Sequence, residues 1–160
     1  MIFVSSGTQS KPFNRLIEAV DRLASNHEEK IIAQIGHATY LPQQIEYFRF
    51  CTQEEMLSYI DKARLIISQA GFGIIGNAIR SNKPMILVPR EKKYSEAVDK
   101  QYELAEYLAK NNESIICVRN VSRLFDAIKS LKNIPIRYDY KTKIPELIDN
   151  FIDKKIIMNA

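Results

Sequence analysis

Fifteen residues do most to decide what this chain can fold into: Leu65-Ile66-Ile67-Ser68-Gln69-Ala70-Gly71-Phe72-Gly73-Ile74-Ile75-Gly76-Asn77-Ala78-Ile79. A short β-branched run suits a buried strand, three glycines suit a turn, and the residues beyond follow a helical pattern. Glycine lets a ligand approach the backbone closely and lets the chain turn at positive φ. A glycine loop that opens a helix also presents free N–H groups and the positive end of the helix dipole. The stretch therefore predicts a diphosphate cradle. Gly7, Gly71, Gly73 and Gly76, four of the five glycines, lie just after an apolar run.

The same strand–loop–helix unit recurs along the chain. Strands are predicted at residues 1–5, 31–35, 47–50, 65–68, 85–88 and 115–118. Between them, Leu16, Ile17, Val20 and Leu23 recur at helical spacing, with Pro12 near the helix start. Thr52 and Glu55 have the spacing of a capping box. Helices follow over 97–110, with Tyr102, Leu104, Ala105 and Leu108 inward, and over 121–131, presenting Leu124, Phe125, Ile128 and Leu131. A final amphipathic helix is predicted at 145–157, after Pro135, and could close the core or dock a partner. Short apolar strands alternating with helices predict one α/β domain over residues 1–160, built on a doubly wound, Rossmann-like parallel sheet. Ligands of such sheets sit beyond the strand C-termini, at the switch in strand order. Both glycine loops fall at strand C-termini.

Charge and composition narrow the function classes. Net charge is +4, from 23 basic and 19 acidic residues spread along the chain, which speaks against a dedicated nucleic-acid surface. Cys51 and Cys117 lack metal-ligand spacing; Cys117, inside an apolar run, is expected to be a buried small hydrophobe. No apolar run reaches the roughly 20 residues of a membrane span, and no signal-peptide pattern opens the chain. A cytoplasmic protein is the expectation. Gly71-Phe72-Gly73-Ile74-Ile75-Gly76 matches the G-x-G-x-x-G dinucleotide pattern, with Glu91 about 20 residues on. That fingerprint normally follows the first strand of its fold, however, and here it follows the fourth. His27 and His37 read as loop residues, as do Lys92 and Lys93, and no cluster suggests a metal site or a self-contained catalytic set.

Several segments together resemble the C-terminal, nucleotide-sugar-binding half of GT-B glycosyltransferases of family 28, in its stand-alone form. Residues 1–4 through Gly7-Thr8-Gln9, then Pro12-Phe13-Asn14-Arg15-Leu16, are similar to the family opening. Gln34-Ile35-Gly36-His37, Tyr47-Phe48-Arg49-Phe50 and Glu55-Met56 follow its middle segment. Ser68-Gln69-Ala70-Gly71 with Gly73, then Lys83-Pro84-Met85-Ile86-Leu87-Val88-Pro89-Arg90, resemble its Ser-His-Ala-Gly…Gly-Lys-Pro…Val-Pro-Arg signature, and Gln101-Tyr102-Glu103-Leu104-Ala105 its His-Gln-x-x-x-Ala element.

The resemblance implies a UDP-sugar donor, with the diphosphate held by N–H groups near Gly7, Thr8 and Gln9 and near Gly71, Phe72 and Gly73, and with Gln69 and Ala70 also among the substrate-binding residues. It implies Phe50 and Cys51 beside the uracil, Asn77 at the ribose and Gln101 at the transferred sugar, with no cofactor or metal. It further implies a membrane-anchored acceptor-binding subunit that carries the catalytic groups and brings a lipid-linked glycan acceptor, with this chain at the inner face of the membrane through that partner. Gln9, Gln69 and Lys100 stand where the family commonly carries histidine, Asn77 where many members carry a ribose-binding Glu, and Phe72 where many carry a small residue. Glutamine hydrogen-bonds but does not titrate as imidazole does. A transferase subunit in surface polysaccharide synthesis is the first reading. A non-catalytic module of the same fold and a dinucleotide-binding oxidoreductase are the others.

Overall fold

The chain opens with β1 (Ile2–Ser5), which crosses over through α1 (Asn14–Ala24) to β2 (Ile31–Gln34) and β3 (Glu46–Phe48). A second run follows: α2 (Gln53–Lys62), β4 (Leu65–Ser68), α3 (Phe72–Arg80), β5 (Met85–Leu87), α4 (Gln101–Asn111), β6 (Ile115–Cys117) and α5 (Leu124–Ser130). This computed structural model describes residues 1–96 and 101–132. All six strands are parallel, in the order β3-β2-β1-β4-β5-β6. The order reverses between β1 and β4, which places the switch point between the two strands that lead into the glycine loops.

Strand alternation divides the core into two layers. Ile2, Val4, Leu65, Ile67, Ile86 and Val88 face α1 and α5, meeting Leu16, Ile17, Val20, Leu124 and Ile128. Phe3, Ile66, Met85 and Leu87 face the opposite helices, meeting Ile60, Ile75, Ala78 and Ala105. The capping box at Thr52 forms as predicted: Glu55 N–H donates to Thr52 Oγ1 at 3.2 Å and Thr52 N–H to Glu55 Oε2 at 2.8 Å.

Several details differ from the sequence expectation. The third ladder is Glu46–Phe48 rather than 47–50, so Phe50 leaves the sheet for a loop. The 121–131 helix begins with a single 3-10 turn, Val121–Arg123, capped by the Asn120 side chain on Ser122 N–H at 3.1 Å. Phe125 points outward with Lys129 over its ring at 4.2 Å, because the buried stripe runs Leu124, Ala127, Ile128 and Leu131. Cys117 lies on the last strand and is only half-buried; burial still pushes its thiol up to about 11. Helix α4 is described from Gln101, and the start of the predicted 97–110 helix and the whole of the 145–157 helix lie outside the described residues.

The loop entering β3 is held by one buried carboxylate. Asp21, 3% exposed, accepts from Tyr40 Oη at 2.7 Å and from the N–H groups of Gln43 (2.9 Å) and Gln44 (2.7 Å). Burial by itself would raise its pKa, but these hydrogen bonds outweigh it and hold the carboxyl below its usual value. A depressed carboxyl stabilises the fold fully above its unfolded-state pKa, about 4, and that contribution fades as pH falls through the folded-state value. Asp21→Asn is therefore expected to cost about 2–3 kcal/mol at pH 7, with the gap to the parent closing below about pH 4. Urea unfolding of both proteins at pH 7 and pH 3.5 measures this; a gap that does not depend on pH would refute it.

Candidate functional site

The two strands that flank the switch, β1 and β4, and β2 beside β1 change character at one level of the sheet. Ile2-Phe3-Val4, Ile31-Ile32-Ala33 and Leu65-Ile66-Ile67 are apolar, and each run ends in a polar residue: Ser5, Gln34 and Ser68. Register sets these side by side, Ser5 opposite Gln34 in β2 and opposite Ser68 in β4. All three are buried, and Ser5 Oγ donates to Gln34 Oε1 at 2.7 Å. The apolar sheet thus terminates in a polar floor.

Above that floor opens a cleft of about 470 Å³ lined by Ser5, Gly7, Thr8, Gln34, Cys51, Thr52, Gln53, Met56, Gln69, Gly71, Gly73, Ile74 and Asn77. Among the described residues its lining holds no carboxylate, imidazole or ammonium group, and Cys51 has its thiol pushed up by burial. A larger hollow of about 660 Å³ lies beside β6 and α5. Two of its charges are already paired there, Arg119 with Glu106 at 3.0 Å, and Arg119 also reaches Glu91 outside the lining at 3.0 Å. The cleft at the switch point, with its unanswered donors, is the better ligand site.

Helix α3 supplies those donors. It starts at Phe72, so the glycine turn is shorter than the sequence suggested and both Gly73 and Gly76 lie within the helix. The turn itself is closed by Gly71 N–H donating to Gln69 O at 2.8 Å. As N-cap, Gly71 has no side chain to offer the first-turn amides, which remain available to an anion. A Cβ on Gly73 would find nothing within 4 Å, so packing does not explain glycine there. Across the cleft, Gly7 (φ 78°) and Gly36 (φ 52°) take the left-handed conformation. A Cβ on Gly7 would stand 1.8 Å from Gln69 Nε2, and one on Gly36 2.5 Å from Gly7 O. These two glycines serve the loop's own geometry.

The remaining predicted residues divide. Gly7, Thr8, Cys51, Gln69, Gly71, Gly73 and Asn77 come together in the cleft. Asn77 Oδ1 accepts from Arg80, so the polar group it retains is a donor. Ala70 is buried behind the lining, and Gln9 is exposed beyond it. Phe50 is exposed outside the lining, its ring edge-on to His37 at 5.1 Å between centroids. Phe72, 82% exposed, projects from the first residue of α3. Gln101 is the first described residue of α4 and lies outside the lining, with Oε1 shielded and without a partner among the described residues; Lys100 lies outside the described residues. Sequence reasoning missed Ser5, Gln34, Thr52, Gln53, Met56 and Ile74; polar residues closing three apolar runs were the available signal for the first two.

Two features of a dinucleotide fingerprint are missing. The third glycine of that motif exists for close helix–strand packing, whereas a Cβ on Gly76 would touch nothing within 4 Å. Glu91, the candidate ribose ligand, is taken by Arg119 and by Lys93 at 3.2 Å; the Arg119 hydrogen bond, against an opposing burial effect, holds its carboxyl below the usual range.

Comparison with known proteins agrees with this fold. A model of the glycosyltransferase family 28 C-terminal domain matches residues 1–150. The human (Homo sapiens) UDP-N-acetylglucosamine transferase subunit ALG13 is 28% identical over 147 residues, covering 84% of this chain and 12% of that protein. The Mus musculus protein of the same name is 25% identical over 115 residues, covering 68% and 9%. The chain thus spans about an eighth or less of these relatives. Among solved structures, the glycotransferase of kitacinnamycin superposes with TM-score 0.65 at 18% identity, covering 84% of this chain and 35% of that one. The Acinetobacter baumannii MurG structure gives 0.58 at 20% identity, covering 82% and 41%. At such identities the likeness is one of fold.

Proposed function

Because the chain belongs to the glycosyltransferase family 28 C-terminal domain family, we propose that it is the donor-binding subunit of a two-component glycosyltransferase. It binds a UDP-sugar and, with a membrane-anchored acceptor-binding subunit, transfers a hexose or N-acetylhexosamine to a lipid-linked glycan acceptor in surface polysaccharide synthesis. The observation that carries this reading is the unfilled space above Gly73, at the uncapped start of α3 and across from the Gly7 loop. Oriented N–H groups there would stabilise the charge of the leaving diphosphate without a protein-bound metal.

The lining supports division of labour between two chains. Its groups are hydroxyls, amides and N–H groups, suited to holding a donor, and among the described residues it has no carboxylate or imidazole to deprotonate an acceptor hydroxyl. The base then comes from the partner, across the open side of the cleft. No helix among the described residues is long and apolar enough to cross a membrane; the proposal places the chain at the cytoplasmic face through its partner.

Calorimetric titration with UDP, UDP-GlcNAc, UDP-galactose and NADH tests the reading. UDP and at least one UDP-sugar are expected to bind, and NADH is not. NADH binding without UDP binding would overturn it. Absence of UDP binding even with the partner co-expressed would leave a non-catalytic module.

A further inference from the structure

Beneath the cleft lies Arg90, 1% exposed and outside the lining itself. Its guanidinium reaches three separate loops. Nη2 donates to Ser6 O at 2.8 Å, and Nη1 to Lys11 O at 2.7 Å, both in the loop after β1. Nη1 also donates to Glu96 O at 3.3 Å in its own loop, and Nε donates to the side-chain oxygen of Gln69 after β4. The Phe13 ring closes one face of the group at 4.7 Å.

Two consequences follow. First, arginine has donors only, so the oxygen of the Gln69 amide must face it and the NH2 must face away. That NH2 lies between the two glycine loops: Cβ atoms on Gly7 and Gly71 would stand 1.8 Å and 3.3 Å from Gln69 Nε2. Gln69 is only 7% exposed, and it forms part of the cleft lining. Second, every oxygen that Arg90 touches is a neutral carbonyl or amide oxygen. The nearby Glu96 carboxylate is engaged elsewhere, held by Arg15 Nε at 3.0 Å and Nη2 at 2.8 Å. Burial lowers the Arg90 pKa to about 10, with Glu96 opposing, so the group stays charged at neutral pH. Among the described residues, then, a buried cation has no hydrogen-bonded counter-charge, and it stands directly under a cleft lined with donors.

We propose that Arg90 is a positioning residue for the donor's diphosphate, turning the Gln69 NH2 into the cleft and leaving a buried positive charge for the ligand's phosphates to neutralise. The inference rests on the UDP-sugar reading of the cleft and goes beyond it: recognition of the diphosphate is backed from below by a residue that never touches it. A group of purely architectural importance would affect nucleoside and nucleotide alike. Arg90 is instead required for the phosphates.

Two variants separate these cases. Gln69→Glu puts a carboxylate against Arg90, cancelling the charge and removing the NH2 while keeping the side chain's shape. Arg90→Met keeps contact with Phe13 and removes the charge. UDP affinity is measured by calorimetry, uridine affinity by NMR titration, and folding by thermal unfolding. Gln69→Glu is expected to unfold at or above the parent's temperature yet bind UDP at least about 20-fold more weakly, with uridine affinity changed less than about twofold. Arg90→Met is expected to weaken UDP at least about tenfold, again sparing uridine. Equal losses for UDP and uridine, or a Gln69→Glu protein that binds UDP as the parent does, would overturn the proposal while the donor-site reading stands. Failure of the parent protein to bind UDP would remove that reading and this one together.

Discussion

Gly73→Leu is expected to bind UDP at least about 100-fold more weakly than the parent while unfolding at the same temperature or higher. The new side chain would stand over the first turn of α3, where the Cβ meets no protein atom within 4 Å. It would therefore cost the fold no clash. Leucine is a better helix former than glycine, and relief of unfolded-state entropy adds about 0.5–1 kcal/mol to stability. The ligand bears the loss. Two N–H contacts to a charged phosphate, each worth about 1.5–3 kcal/mol, would be blocked. Paired calorimetric titration and thermal unfolding measure both quantities; UDP affinity within about twofold of the parent would remove the cradle from this site.

Gly36→Ala is expected to do the reverse, harming the fold first. Its φ of 52° is left-handed, and its Cβ would press to 2.5 Å from the backbone oxygen of Gly7 and 3.2 Å from Ser6 Oγ. Left-handed strain costs about 1–2 kcal/mol, and the backbone contact brings the total to roughly 3 kcal/mol, because a carbonyl cannot rotate away as a side chain can. For a domain this size that lowers the melting temperature by about 10 °C. A melting temperature within about 2 °C of the parent would contradict the placement of Gly36 against the Gly7 loop. On the proposed reading Gly73 serves the ligand and Gly36 the fold, and the two substitutions tell them apart.

Much of this architecture could be read along the chain. Runs such as Ile2-Phe3-Val4 and Leu65-Ile66-Ile67 are too apolar and too short to be anything but buried strands, and all six predicted strands are present. The Thr52–Glu55 cap is local, three residues apart, and formed as read. The glycine loops were found for the same reason. What escaped notice depends on distant partners. Arg90 holds Ser6 and Lys11 across 84 and 79 residues, and no window around Arg90 contains either. Asp21 looks like any polar residue on a helix until the loop at Gln43 folds back over it. Gly71, Gly73 and Gly76 look equivalent in sequence; only the surrounding atoms show that the turn ends at Gly71 and that helix α3 has already begun at Phe72. The family resemblance supplied candidate roles for positions such as Gln101 and Phe50, which the described structure places outside the cleft lining.

Strand order also bears on how the protein is made. Because β1 pairs with β2 on one side and β4 on the other, a nascent chain in which β1, β2 and β3 have emerged and β4 has not can form a three-stranded half-sheet. Its β1 edge is then bare, with Ile2, Phe3 and Val4 presenting unpaired backbone groups. That edge stays open until residues 65–68 emerge to cover it. The strand that leads into the Gln69–Gly73 side of the cleft is therefore the same one that protects the nascent chain from pairing with its neighbours.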